Sequence, residues 1–133
     1  MTTDTTLHAE DIDCRQSLLP CANKPNCVSS LASSDSRYFI EPLLLGDDPD
    51  GDWQLLTDML STLTGMHIVS RQQHYCHVEC RSRLFGFIDD LEFCRSHSDK
   101  LCHVRSASRS GYYDFKVNRK RVEKIRKAFV LSV

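Results

Sequence analysis

The feature that most constrains the fold of this chain is a run of four β-like segments in its second half. The middle segments alternate apolar and polar side chains, which is the pattern of strands with one buried face. Short connections between the segments favour antiparallel neighbours over crossover connections. The sequence therefore predicts an antiparallel meander of four or more strands. The predicted strands are residues 67–71, 75–83, 87–95 and 101–107.

Two amphipathic helices flank these strands. Apolar residues recur at helical spacing in residues 52–64, where Asp52 suits the N-cap and Gly65 the left-handed stop. A second helix is predicted over residues 118–130, with Asn118 as its N-cap. This order predicts an α+β two-layer sandwich with both helices on one face of the sheet. The side chains expected to be buried between the layers are Trp53, Leu56, Leu60, Val78, Leu91, Phe93, Val104, Val122, Ile125 and Phe129.

The 133 residues are enough for one domain with a single core. Residues 1–20 are polar and aperiodic, so they are predicted to form a flexible tail ahead of a single domain over residues 21–133. The chain has no apolar run long enough to span a bilayer, and its start lacks the features of a secretory signal. These observations predict a cytoplasmic protein with no membrane insertion.

Seven cysteines are present, an odd number, and the cytosol keeps thiols reduced. They are interpreted as reduced, mostly buried side chains, with no disulfide between Cys21 and Cys27. The spacing of these two residues is wider than usual zinc spacings, and no second pair follows. No metal and no cofactor are predicted.

Charge is distributed unevenly along the chain. Residues 1–60 hold eleven acidic against three basic side chains, whereas residues 103–133 hold nine basic against two acidic ones. The basic end predicts either an anionic partner or an attraction between the two ends of the chain. Nucleic acid is an unlikely partner, because exposed aromatic residues among the basic ones are few.

Matching apolar residues across the strands predicts a register for the sheet. It turns the first hairpin at Phe85 and Gly86 and places Arg81, Asp90 and Arg105 in one row on the polar face. Two guanidinium groups around one carboxylate leave an excess positive charge. The second row contains Glu79, Glu92 and His103. The simpler interpretation is a solvated face with ordinary cross-strand ion pairs.

Two further groups of residues suggest chemistry. Residues 105–111 with the start of the last helix combine hydroxyls, guanidinium groups and free backbone N–H groups, which suit an anion. The alternative is a strand end, a turn and a capped helix with a solvated basic face. Cys27 could be a nucleophile if His77 or His103 lay within reach as its base.

Three blocks in order along the chain carry a resemblance to a known family. They are Pro-Asn-Cys-Val-Ser-Ser at residues 25–30, the polar and aromatic pattern of residues 75–93, and residues 104–111 with 118–122. They resemble the bacterial and plastid family called domain of unknown function 1499, over about residues 20–127. The resemblance implies no activity, because none is established for that family. The polar positions it carries over are Asn26, Cys27, His77, Glu79, Arg81, Asp89, Asp90, Arg105, Ser106, Ser108, Arg109, Asn118 and Arg119.

Three functions follow as hypotheses. The preferred one is a non-enzymatic domain that binds a small anionic ligand on the polar face of the sheet, near the start of the C-terminal helix. The alternatives are a hydrolase or transferase using Cys27 or His77, and a module whose basic C-terminal helix binds an acidic protein. The predicted ligand-binding residues are Arg81, Asp90, Arg105, Ser108, Arg109, Asn118, Arg119, His77, Glu79, Asn26 and Cys27.

Overall fold

An antiparallel sheet forms the centre of the protein, seen in a computed structural model that describes residues 13–82, 86–96 and 100–133. Within those residues the sheet has six strands. They are β1 (Cys27–Ser29), β2 (Leu43–Leu44), β3 (Met66–Arg71), β4 (Tyr75–Arg81), β5 (Ile88–Arg95) and β6 (Leu101–Ser108). The order across the sheet is β1, β6, β5, β4, β3, and β2 also pairs with β6.

Three helices accompany the sheet in the described part of the chain: α1 (Cys14–Ser17), α2 (Pro49–Thr62) and α3 (Val117–Ser132). The helix α2 begins before the predicted position because the Asp48 carboxylate accepts a hydrogen bond from the Gly51 N–H at 3.1 Å. Both long helices pack on one face of the sheet. The predicted α+β two-layer sandwich is therefore confirmed. No helix in the described ranges is long and apolar enough to cross a membrane.

The core lies between the sheet and the two long helices. All ten side chains predicted to be buried there are at most 4% exposed, and they belong to one contiguous cluster. Burying a large apolar side chain contributes about 1.5–3 kcal/mol. This cluster therefore fixes which face of the sheet carries α2 and α3, and leaves the polar side chains of the meander on the other, open face.

The register of both hairpins differs by two residues from the predicted one. Val78 pairs with Leu91, and Leu91 pairs with Ser106. A two-residue shift keeps every side chain on its own face, so the apolar pattern fits both registers equally well. The predicted turn at Phe85 lies outside the described residues. The predicted row of Arg81, Asp90 and Arg105 is wrong.

The pairing in the second predicted row is also wrong. Asp90 lies opposite Glu79 and Ala107, and Glu92 lies opposite His77 and Arg105 instead of beside Glu79 and His103. The same two-residue shift causes this difference.

The strand β3 contains a bulge at Val69. Ile68 pairs with Val78, and Ser70 pairs with His77, the residue adjacent to Val78 on β4. Val69 therefore has no partner across the ladder. After the bulge Arg71 points to the helix side of the sheet, where its guanidinium reaches Asp58 of α2 at 2.6 Å.

Four cysteines form disulfides, so the prediction of reduced cysteines is wrong. Cys14 is bonded to Cys94 and Cys21 to Cys27, with Cα–Cα distances of 5.7 and 5.8 Å. A turn between Cys21 and Cys27 brings the second pair together. The first pair joins residues 80 positions apart, because α1 folds over the open face of β5.

The segment ahead of Cys21 packs on the open face of the sheet. Leu18 is buried in a small cluster with Cys14 and Cys94, and Tyr75 of β4 packs against it. Residues 1–12 of the predicted flexible tail lie outside the described residues. Residues 13–20 thus form part of the folded domain.

Candidate functional site

The open face of the sheet carries a linked group of charged side chains. Arg109 donates two hydrogen bonds to the Asp90 carboxylate, both at 2.8 Å, and a third to Glu79 at 2.7 Å. His77 Nε2 lies 2.7 Å from Asp90 Oδ1, the oxygen that also accepts from Arg109 Nη2. Alternation in β4 and β5 brings these groups together, and Arg109 reaches them from just beyond the end of β6.

The electrostatics of this group favour the charged forms of Asp90 and Arg109. The Arg109 guanidinium holds the pKa of Asp90 below its usual value of 3.8, although partial burial of the carboxyl opposes this effect. The two carboxylates in turn raise the pKa of Arg109. The group is therefore an internally paired ion network.

A second paired group lies beside it on the same face. Glu92 accepts hydrogen bonds from the Tyr75 hydroxyl and from Arg105 Nη1, the latter at 3.3 Å. Burial, followed by the Glu92 carboxylate, raises the pKa of Tyr75. Arg81 donates to the Gly86 carbonyl at 3.2 Å.

These pairs change the charge balance expected for the open face. Among the described residues, two of its guanidinium groups contact three carboxylates, and the third donates to a backbone carbonyl. Hence the excess positive charge predicted around Asp90 is absent from this part of the described structure. The side chains concerned are Arg81, Arg105, Arg109, Glu79, Asp90 and Glu92.

A buried polar seam lies on the opposite side of the sheet, under the start of α3. Asn118 is fully buried, and its amide nitrogen donates to the Asn26 carbonyl, to Ser108 Oγ and to Asp114 Oδ2, at 2.9–3.1 Å. Its amide oxygen accepts from Ser106 at 2.6 Å. The seam ties β1 and β6 to the first turn of α3.

Arg121 extends the same seam. Its guanidinium donates to the oxygen of Asn118 at 2.7 Å and to the Asp89 carboxylate at 2.7 Å, and both members of this ion pair are largely buried. A buried ion pair of this kind is costly to break, because removing one partner leaves a buried charge unpaired. Asp89 and Arg121 were missed as predicted site residues, although Asp89 belongs to the pattern carried over by the resemblance.

The N-cap assignment of Asn118 is wrong. Asn118 is the second residue of α3, and the residue at the cap is Lys116, in a left-handed conformation with φ of 65°. Asp114 supplies the capping carboxylate instead, which accepts from the N–H groups of Lys116 at 2.9 Å and Asn118 at 3.2 Å. The sequence signal for this was an aspartate shortly before the helix.

A cavity of about 160 Å³ opens beside this helix start, and we call it the α3 pocket. Its charged lining comes from Arg37, Asp114, Lys116 and Arg119. Arg37 lies far away in the sequence, in the loop between β1 and β2, and no local motif marked it. The remaining lining residues are Pro25, Cys27, Val28 and Tyr38.

The three cations of the α3 pocket have no ion-pair partner among the residues that the structure describes. Arg37 donates to the Tyr38 hydroxyl and to Asn23, and Arg119 donates to the Arg37 carbonyl at 3.0 Å. The carboxylate of Asp114 already accepts from two backbone N–H groups and from the Asn118 amide. The lining of the α3 pocket therefore has a net positive charge.

A loop with exposed aromatic side chains borders the α3 pocket. Phe115 is 84% exposed, Tyr113 70% and Tyr112 52%. Phe115 and Lys116 both have positive φ, 53° and 65°, a conformation that costs a residue with a side chain about 1–2 kcal/mol. We call residues 112–116 the aromatic loop.

The structure separates the two residues of the enzymatic hypothesis. Cys27 lies on β1 and His77 on β4, with β6 and β5 between them, which is roughly 14 Å at three strand spacings. The sulfur of Cys27 is bonded to Cys21. His103, the other candidate base, has its Nδ1 3.0 Å from the hydroxyl of Ser30.

The predicted site residues fall into two groups in different parts of the fold. His77, Glu79, Asp90 and Arg109 meet on the open face, where Arg105 lies in the neighbouring pair with Glu92. The start of α3 brings together the others, except Arg81, whose side chain contacts the first hairpin. That second group consists of Asn26, Cys27, Ser108, Asn118 and Arg119.

The fold and these two groups define an α+β sandwich domain with a paired ion network on its open face and a buried polar seam under its last helix. The sequence model of one family, described as protein of unknown function (DUF1499), matches residues 17–129. The chain therefore belongs to this family, and the resemblance of its three sequence blocks is confirmed. No curated protein and no solved structure matches the chain.

Proposed function

We propose that this domain binds a small anionic ligand, carrying a phosphate or carboxylate group, in the α3 pocket and catalyses no reaction on it. The observation that carries the proposal is the charge of this pocket. Three cationic side chains without an ion-pair partner in the described structure surround a cavity whose one carboxylate is already bonded to the helix start. An anion would supply the missing partner.

Charge along the chain supports the same site. Of the ion pairs between described residues, none joins an acidic side chain of residues 1–60 to a basic one of residues 103–133. The two ends therefore do not neutralise each other through direct contacts there. The basic surplus near α3 remains available to a ligand.

The state of the cysteines supports binding over catalysis. Cys27 is part of a disulfide, and burial raises the pKa values of all three free thiols, to about 11 for Cys76 and Cys80. A thiol with so high a pKa is almost wholly protonated at neutral pH and is a poor nucleophile.

The test is a thermal-shift and calorimetric titration with inorganic phosphate, sulfate and small carboxylates. Wild type is expected to be stabilised by at least one of these anions. Lys116→Gln and Arg119→Gln should each weaken binding about tenfold, since one charge-assisted contact contributes about 1.5–3 kcal/mol at most. No stabilisation of wild type by any of them would overturn the proposal.

Lys124→Gln is the matched control. Lys124 is exposed on the same helix but does not line the pocket, and its substitution changes the net charge by the same amount. Binding by Lys124→Gln should equal that of wild type. An equal loss in all three variants would mean that anions respond to overall charge instead of to this pocket.

A second candidate function is binding of an acidic protein by α3. Lys120, Lys124 and Lys127 are exposed on this helix and have no ion-pair partner among the described residues, whereas Arg121 and Arg126 are bonded within the domain. Loss of binding to an acidic protein in Lys124→Gln, with unchanged phosphate binding, would identify this second surface.

A further inference from the structure

The aromatic loop combines three properties that a solvated loop does not need. It exposes three rings, its two residues nearest the helix hold left-handed backbone conformations, and it is flanked by cations. Strained backbone that keeps a large apolar side chain in water is typical of a functional surface. Tyr112 and Tyr113 also contact each other edge to face, with ring centroids 4.9 Å apart.

The cations lie on the same side of the domain as the rings. Lys116 is part of the loop and lines the α3 pocket together with Arg119 and Arg37. Lys120 follows one turn later, its N–H bonded to the Lys116 carbonyl at 2.9 Å. The acidic residue of the loop, Asp114, is half-buried and bonded to the helix start, so it offers little opposing charge.

We infer that the aromatic loop docks this domain on the surface of an anionic membrane, so that the anion in the α3 pocket is the phosphate of a lipid headgroup. This inference rests on the proposed function, because it names the source of the anion. Tyrosine and phenylalanine side chains enter the headgroup boundary of a bilayer, and nearby lysines and arginines are attracted by its negative charge. Insertion of exposed rings does not require a helix that crosses the membrane.

The shape of the surface favours a bilayer over a folded partner. Phe115 and Tyr113 project from the domain and are largely solvated, whereas a protein partner would have to offer a matching cavity for each ring. A bilayer accepts a projecting ring without a preformed cavity. The cations beside the rings then favour an anionic bilayer over a neutral one.

Vesicle sedimentation tests the inference. Wild type should sediment with vesicles of equimolar phosphatidylcholine and phosphatidylglycerol and should remain in solution with pure phosphatidylcholine. Phe115→Ser combined with Tyr113→Ser should weaken sedimentation at least about tenfold, because the inserted apolar area is lost. Both positions are exposed, so the fold is expected to stay intact.

Leu131→Ser is the matched control for the loss of an apolar side chain. Leu131 is 78% exposed and lies near the other end of α3, roughly 20 Å from the aromatic loop at 1.5 Å per residue. This variant should sediment as wild type does. An equal loss in the control and in the loop variant would overturn the inference, because sedimentation would then depend on exposed apolar surface in general.

Two other outcomes separate this inference from the proposed function. If inorganic phosphate stabilises wild type but the anionic vesicles do not sediment it, the pocket binds a soluble anion and the membrane inference fails. If the double loop variant sediments like wild type while Arg119→Gln does not, binding is purely electrostatic and the role assigned to the rings is wrong. Polyglutamate can also be added to compete with the anionic vesicles. If it prevents sedimentation of wild type and of the double loop variant equally well, the partner is an acidic protein and the membrane inference fails.

Discussion

The fully buried side chain of Asn118 forms hydrogen bonds with five other groups. Asn118 therefore contributes more to the free energy of unfolding than a helix cap alone would. Replacing it by alanine leaves the buried ends of Arg121 and Ser106 without their shared acceptor. We expect Asn118→Ala to lower the free energy of unfolding by about 3 kcal/mol, measured by urea denaturation.

The exposed Asn23 provides the control for Asn118. It accepts a hydrogen bond from Arg37 at the surface, at 3.3 Å. Asn23→Ala should therefore change the free energy of unfolding by less than about 0.5 kcal/mol. A similarly small change for Asn118→Ala would show that the seam does not depend on its amide.

The ion network around Asp90 makes the free energy of unfolding depend on pH in the acidic range. Its pKa in the folded protein lies below the ordinary value of 3.8, chiefly because of Arg109. The contribution of the ionised carboxylate is therefore fully present above that ordinary value and is lost as the pH falls through the lower, folded value. In Arg109→Gln this acid-dependent loss should be smaller, as measured by urea midpoints from neutral pH down to about pH 3.

Lys124→Gln controls for net charge in that pH series, since Lys124 is exposed on α3 and has no ion-pair partner within the described structure. Its midpoint should follow the same pH dependence as wild type. Parallel curves for wild type and Arg109→Gln would contradict the assignment of the Asp90 shift to Arg109.

At the scale of secondary-structure elements, the disulfide between Cys14 and Cys94 fastens α1 to β5. The bond joins residues 80 positions apart, whereas the bond from Cys21 to Cys27 spans six. Loop-closure entropy grows with that separation, which gives about 4.5 kcal/mol for the long loop and about 2 kcal/mol for the short one. Removing the first disulfide by alanine at both positions should therefore lower the unfolding free energy more than removing the second.

Urea denaturation of the two double-alanine variants measures this difference. Cys94 is fully buried on the open face, so alanine there also leaves a small cavity and adds to the loss. If the variant without the Cys21–Cys27 bond proved the less stable of the two, α1 would not be a stabilising element of the domain.

The faces of these elements could be predicted from sequence, whereas their pairing could not. In β4 the alternation of Cys76, Val78 and Cys80 with polar neighbours assigns each side chain to a face, because an error of one residue would bury charges. An error of two residues leaves both faces unchanged, so the alternation cannot distinguish two registers that differ by two residues. The partners of Asp90 and Arg105 were therefore assigned wrongly, although their face was right.

Local sequence patterns could not predict the cysteine pairs or the α3 pocket. Cys14 meets Cys94 only because α1 folds back over the sheet, and an odd number of cysteines gave no hint of two bonds. Arg37 enters the pocket through a loop with no motif of its own. The start of α3 was predicted as an anion site from its composition, but the carboxylate that caps it, Asp114, was not.

For the molecule as a whole, the cysteine chemistry predicts a definite thiol count. Under denaturing conditions without reductant, three thiols should react, those of Cys76, Cys80 and Cys102, and full reduction should raise the count to seven. In the folded protein none should react quickly at neutral pH, because burial raises their pKa values. Seven thiols without reductant would contradict both disulfides.

The same thiol titration also tests the predicted subcellular location of the protein. The cytoplasmic address stays a prediction. Structural disulfides persist in oxidising compartments and are rare in the cytosol, where thiols are kept reduced. Thiol counting on protein taken directly from its native cells, with free thiols blocked at lysis, therefore tests the predicted address together with the bonds.

The bulge at Val69 has a consequence for how copies of this domain meet one another. Of the described strands, β3 forms the edge of the sheet opposite β1, and a straight edge strand is a template on which another chain can add its own strand. The bulge interrupts the even spacing of the free N–H and C=O groups on that edge, so a second chain would find no continuous ladder. A single unpaired residue therefore disfavours strand addition at the β3 edge.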